Sequence, residues 1–69
     1  VLLLEARTWQ DARRWARVAK TLGLPAKRTE NKVRIETDAT PERVQALVAS
    51  AAAEGLGLRL SAVWAEHEP

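Results

Sequence analysis

Four cations, Arg13, Arg14, Arg17 and Lys20, fall in a stretch of eight residues. Spaced three and four apart, they make one charged face of a helix, able to neutralise phosphates and to bind a polyanion in a salt-dependent way. Lys27 and Arg28 follow closely. The bland alternative is a solvated helix face, because exposed faces ordinarily carry charge. No helix-turn-helix spacing is present to direct base readout.

Other chemistry is sparse. His67 is the single histidine, set between Glu66 and Glu68 near the end of the chain. One imidazole with two flanking carboxylates is a solvated tail rather than a metal site. Glu36, Asp38 and Glu42 are close in sequence, but nothing apolar surrounds them to raise a pKa for acid–base work. Gly55-Leu56-Gly57 follows a helix, where a turn presents carbonyls and not the amides that cradle phosphate. Cysteine is absent, which excludes a disulfide framework and thiolate ligands and makes a reducing cytoplasm the default compartment. No nucleophile, base and orienter can be assembled, so the expectation is a non-enzymatic protein with no cofactor and no metal. No apolar run reaches the 18 residues of a membrane span.

The aromatic residues are three tryptophans and nothing else. Trp15 and Trp64 are expected in the core, each indole N–H finding a partner. Trp9 falls at the edge of the apolar stripe, about 120° from Trp15 on a helical wheel. It either covers a strand–helix junction or stands exposed as an anchor for a partner.

The elements that position these residues are legible from an internal repeat. A shift of 32 residues lays Val1–Leu24 over Val33–Leu56 without a gap, matching Val1 to Val33, Thr8 to Thr40, Ala19 to Ala51, Gly23 to Gly55 and Leu24 to Leu56. Each copy reads strand, Thr cap, amphipathic helix, Gly stop, strand. The first helix has an apolar stripe of Ala12, Trp15, Val18, Ala19 and Leu22; the second, of Val44, Leu47, Val48 and Ala51. Ala26–Glu30 and Lys32–Thr37 read as a hairpin whose loop is either Glu30-Asn31 or Asn31-Lys32. The last strand is expected over Leu58–Ala65, with Leu58, Leu60, Ala62 and Trp64 on the core side.

Two such units in tandem predict an α+β fold, a ferredoxin-like βαββαβ arrangement of two βαβ half-repeats. It has a four-stranded antiparallel sheet and both helices on one face. Residues 1–66 form the single domain and 67–69 a tail. The repeat places Val1 and Leu3 toward the helices, as Val33 and Ile35 are. Leu2, Leu4 and Ala6 then lie on the open face beside Val63 and Ala65; the opposite assignment exposes Val1 and Leu3 instead.

Families of this topology are tested by their motifs. Copper-chaperone-like domains place a Cys pair in the first loop; Glu5–Trp9 has no thiol. Acylphosphatases use a Gly-rich loop and an Arg there; Arg7 is suitably placed, but the glycines are missing. RNA-binding sheets of the RRM type need aromatics on the central strands, and Val1–Arg7 and Lys32–Thr37 contain none. ACT-type regulatory domains have no invariant motif to test.

Charge is uneven along the chain: residues 1–34 carry nine cations against three acids, and residues 35–69 carry two against six. Such a dipole fits an anionic partner or head-to-tail self-association. A composition poor in Asn and Gln and rich in Arg, Ala and Leu fits a thermophile or a GC-rich genome. Three functional readings follow. The first is a small interaction module that self-associates as a homodimer, or takes a protein partner, through an open sheet face bearing Leu2, Leu4, Val63 and Ala65, or through an edge strand. The second is a nucleic-acid or polyanion binder using Arg13, Arg14, Arg17 and Lys20. The third is an ACT-type small-ligand domain.

Overall fold

In a computed structural model, which describes residues 1–38, 40–56 and 60–65, the element order is β1 (Leu2–Ala6), α1 (Trp9–Thr21), β2 (Ala26–Thr29), β3 (Lys32–Ile35), α2 (Pro41–Ala53) and β4 (Leu60–Ala65). The four strands form one sheet in the order β2-β3-β1-β4, and every neighbouring pair is antiparallel. The molecule is therefore α+β with two helices and a four-stranded antiparallel sheet. The start of the last strand at Leu58, Gly57 and the Glu66–Pro69 tail with His67 lie outside the described residues.

The two helices end alike. Gly23 and Gly55 adopt φ of 78° and 77°, the left-handed conformation that glycine takes without a Cβ penalty. Leu24 N–H then donates to Ala19 O and Gly23 N–H to Lys20 O; Leu56 N–H donates to Ala51 O and Gly55 N–H to Ala52 O. This double closure satisfies carbonyls that the last helical turn would leave orphaned. The starts match as well. Thr8 Oγ1 accepts from Asp11 N–H at 3.1 Å, and Thr40 Oγ1 from Arg43 N–H at 3.3 Å.

Packing of β1 reverses the expectation from the repeat. Leu2 and Leu4 are 2% and 3% exposed, and Ala6 is buried with them, in one core with Val33, Ile35, Trp15, Leu47 and Leu56. Val1, Leu3 and Glu5 are half-buried on the alternate phase. The physical reason is Glu5. Alternate strand residues share a face, so turning Val1 and Leu3 inward would bury the Glu5 carboxylate under the helices, at large desolvation cost. Its counterpart in the second copy is the neutral Thr37, which imposes no such constraint. The second copy has the longer connection, from the end of β3 at Ile35 to the start of α2 at Pro41, against Ala6 to Trp9 in the first.

The hairpin loop is Glu30-Asn31, because Thr29 pairs with Lys32 and Arg28 with Val33. Glu30 takes the positive φ, 55°. Asn31 ties this loop to the end of β1: its Nδ2 donates to Ala6 O at 3.0 Å, and Ala6 N–H donates to Asn31 O at 2.8 Å.

In β4 a bulge changes the phase. Ala6 pairs with Leu60, but Glu5, Leu4, Leu3 and Leu2 pair with Ala62, Val63, Trp64 and Ala65. The extra residue on β4 breaks the alternation. Trp64 thus lies beside Leu3 on the open face, 40% exposed, and is not a core residue. Val63 shares the helix-side phase with Leu4 yet is 47% exposed. Helix α1 lies close to β1, β2, β3 and α2, and α2 adds Leu47 and Ala51 to the same core. Along β4, Leu60 packs against the core, whereas Val63 and Ala65 farther on are exposed.

Candidate functional site: a basic groove between α1 and β2

Helix α1 buries Asp11, Ala12, Trp15, Ala16, Val18 and Ala19 and turns Arg13, Arg17 and Lys20 outward on the side facing the β2 edge. Across from them stands Arg28. The hairpin register pairs it with the core residue Val33, so its side chain leaves the sheet on the helix side. Arg13, Ala16, Arg17, Lys20 and Arg28 line a groove of about 330 Å³. Its floor is the small Ala16, which keeps the groove open between four cationic walls.

None of these four cations forms an ion pair among the described residues. An ion pair joins Arg34 Nε to Glu36 Oε1 at 3.1 Å instead. Arg28 donates from Nη1 to the Glu30 carbonyl at 2.7 Å, which fixes its stem beside the loop without neutralising its charge. Its guanidinium carbon also sits 5.9 Å from the centroid of the Trp9 ring, a cation–π distance. Trp9 is 51% exposed, so of its two expected placements the structure shows the exposed one, at the head of the groove.

Two of the cations named from sequence do not belong to this site. Arg14 points away, toward α2, and its Nη2 donates to the Glu54 carbonyl at 2.9 Å. Helix α2 has no basic residue in its last turn. Arg14 therefore supplies from α1 the cation and the hydrogen bond that the negative end of α2 lacks. Lys27 pairs with Arg34 and stands on the opposite face of the sheet from Arg28. Arg28's membership is readable from β2 only once the loop is known to be Glu30-Asn31, since a slip of one residue exchanges Arg28 with Lys27.

The proposed self-association residues are also separated. Leu2 and Leu4 are core residues and cannot form an outer surface. Val63 and Ala65 are exposed, at the β4 edge. The open face instead carries Leu3, Trp64 and Ala62 on its β1–β4 side, and Lys27, Arg34 and Lys32 on its β2–β3 side.

Trp15 departs from expectation in one respect. It is fully buried, but its Nε1 has no hydrogen-bond partner among the described residues. No group of three or more His, Cys, Asp or Glu side chains is placed to hold a metal ion, and no helix is long and apolar enough to cross a membrane, among the described residues. In comparisons with known proteins, the chain matches no family model, no curated protein and no solved structure.

Proposed function

We propose that this protein binds polyanions through the groove between α1 and β2. The observation that carries the reading is the convergence of Arg13, Arg17, Lys20 and Arg28 from two separate elements on one cleft without a carboxylate partner. A solvated helix face spreads its charges into water and needs no contribution from a neighbouring strand. Here like charges crowd one groove, and their mutual repulsion is relieved when an anion enters. The test is amide chemical-shift mapping with inorganic polyphosphate at low salt. The expected shifts cluster at Arg13, Arg17, Lys20 and Arg28 and leave the Arg14–Glu54 region still. Shifts scattered over all surface cations, or none, contradict the reading.

The scaffold is read as ferredoxin-like. The element order βαββαβ, the central β1 and β3 and the common helix side of the core support it.

Self-association through the β4 edge is a second reading, favoured by a contrast between the sheet edges. The β2 edge carries Lys27 and Arg28, charges of the kind that guard an edge strand. The β4 edge, Leu60–Ala65, has no charge and no proline, and it exposes Val63 and Trp64. A second copy pairing there meets no like-charge repulsion within the strand. Sedimentation equilibrium of wild type and Val63→Lys tests it: a wild-type dimer that the substitution dissociates supports the edge, and a wild-type monomer at high concentration overturns it.

A further inference from the structure

We infer that the polyanion is a single-stranded nucleic acid, with a base stacked against Trp9 and its phosphates along Arg13, Arg17 and Lys20. This rests on the groove reading above and narrows it.

The geometry is a single stripe. Trp9, Arg13 and Arg17 follow one another at four-residue spacing, about 6 Å of helix each, and Lys20 lies three residues on. All four occupy about 80° of the helix circumference. The stripe faces the β2 edge along its whole length, because Arg28 both lines the groove with the three cations and rests over the Trp9 ring. An aromatic platform at one end and a track of cations leading from it is the arrangement that holds a flexible strand: the ring takes a base and the cations take the backbone.

Each alternative polyanion leaves part of this unused. A duplex keeps its bases paired inside and offers phosphates alone, so a half-exposed indole at the head of the track has no task. Inorganic polyphosphate and sulfated polysaccharides likewise have no flat π-face to place on it. Arg28 covers part of the Trp9 ring, and the half of the indole that stays in water is the apolar face that a stacked base would cover. No element directs base-edge readout, so the binding is expected to be tolerant of sequence.

The test compares three probes, a short oligothymidylate, a duplex of equal length and inorganic polyphosphate, on wild type, Trp9→Ala and Trp9→Phe. Thermal melting checks that each variant is folded. Trp9→Ala is expected to weaken oligothymidylate binding about tenfold, the scale of one base–aromatic stack, and to leave polyphosphate binding unchanged. Trp9→Phe, which keeps a π-face, restores most of the loss. Should Trp9→Ala leave the oligothymidylate affinity intact, or weaken both probes equally, the base platform is refuted while the groove stands. Equal affinity for duplex and single strand also refutes it. Absence of binding to all three probes refutes the groove itself.

Discussion

The two helices occupy equivalent places in the repeat, have the same length, start on the same cap and stop on the same glycine turn, yet they do different work. Helix α1 buries six of its thirteen residues and spans three strands and the other helix; α2 buries two, Leu47 and Ala51. The difference teaches that the termini of the repeat are fixed by backbone chemistry, whereas its faces are free to diverge. At the ends, orphaned amides and carbonyls need the same remedy in both copies. Between the ends, α1 combines a deeply apolar side with a cationic one. The outward side of α2 carries Ala46, Ala49, Ala52 and Ala53, with its charges, Glu42 and Arg43, confined to the first turn.

That comparison can be broken most severely at the equivalent pair Trp15 and Leu47. Truncating either empties a fully buried site. Trp15→Ala is expected to cost about 3–5 kcal/mol and Leu47→Ala about 2–4 kcal/mol. In a domain of 69 residues the first should abolish the cooperative melt, and a Trp15→Ala variant that melts like wild type would refute the placement of the core. A smaller effect separates Val18 from its repeat partner Ser50. Val18 is fully buried and Ser50 only partly so. Urea midpoints should show Val18→Ser losing about 2 kcal/mol, while Ser50→Ala stays within about 0.5 kcal/mol of wild type.

The glycine stops sharpen the comparison from the other side, because there the halves should respond equally. A Cβ at Gly23 or Gly55 would meet nothing within 4 Å, so the cost of Gly→Ala is the left-handed backbone alone, about 1 kcal/mol. Calorimetry of the two single variants should give matching losses; a twofold disparity would mean the two turns are not equivalent.

Much of this architecture is written in local chemistry that a reader of the sequence can follow. Thr8, Thr40, Gly23 and Gly55 mark the helix ends, and the apolar stripes mark their buried sides. The strand phases are not legible in the same way. Val1–Leu4 is apolar on both phases, and only Glu5, one position beyond the run, decides which side faces the helices. In β4 the alternation of Leu58, Leu60, Ala62 and Trp64 is a true pattern of the sequence, but the bulge opposite Glu5 and Ala6 breaks it by leaving Ser61 without a partner in β1, and a single serine in a strand does not by itself mark a bulge. The site shows the same division. Arg13, Arg17 and Lys20 are found from helical spacing alone. Arg14 has the same spacing and charge, and its departure to Glu54 depends on where α2 ends, a tertiary fact. Arg28 depends on the hairpin register.

Arg14 and Arg17 therefore form the sharpest pair in the molecule. They lie three residues apart on one helix, and replacing either by Gln removes one positive charge. Arg14→Gln should lower stability by about 1 kcal/mol through loss of the α2 carbonyl contact and leave ligand binding alone. Arg17→Gln, at an exposed position, should leave stability within about 0.5 kcal/mol.

The most direct measurement is the salt dependence of oligothymidylate affinity for wild type, Arg14→Gln and Arg17→Gln, followed by fluorescence anisotropy. Three cations on the phosphates, Arg13, Arg17 and Lys20, predict a slope of log affinity against log salt near −2 for a single strand. Arg17→Gln should make it shallower by about 0.7, and Arg14→Gln should leave it at the wild-type value. Equal slopes for the two variants would show that charge anywhere on α1 serves as well as charge in the groove, and the account of the site would be wrong.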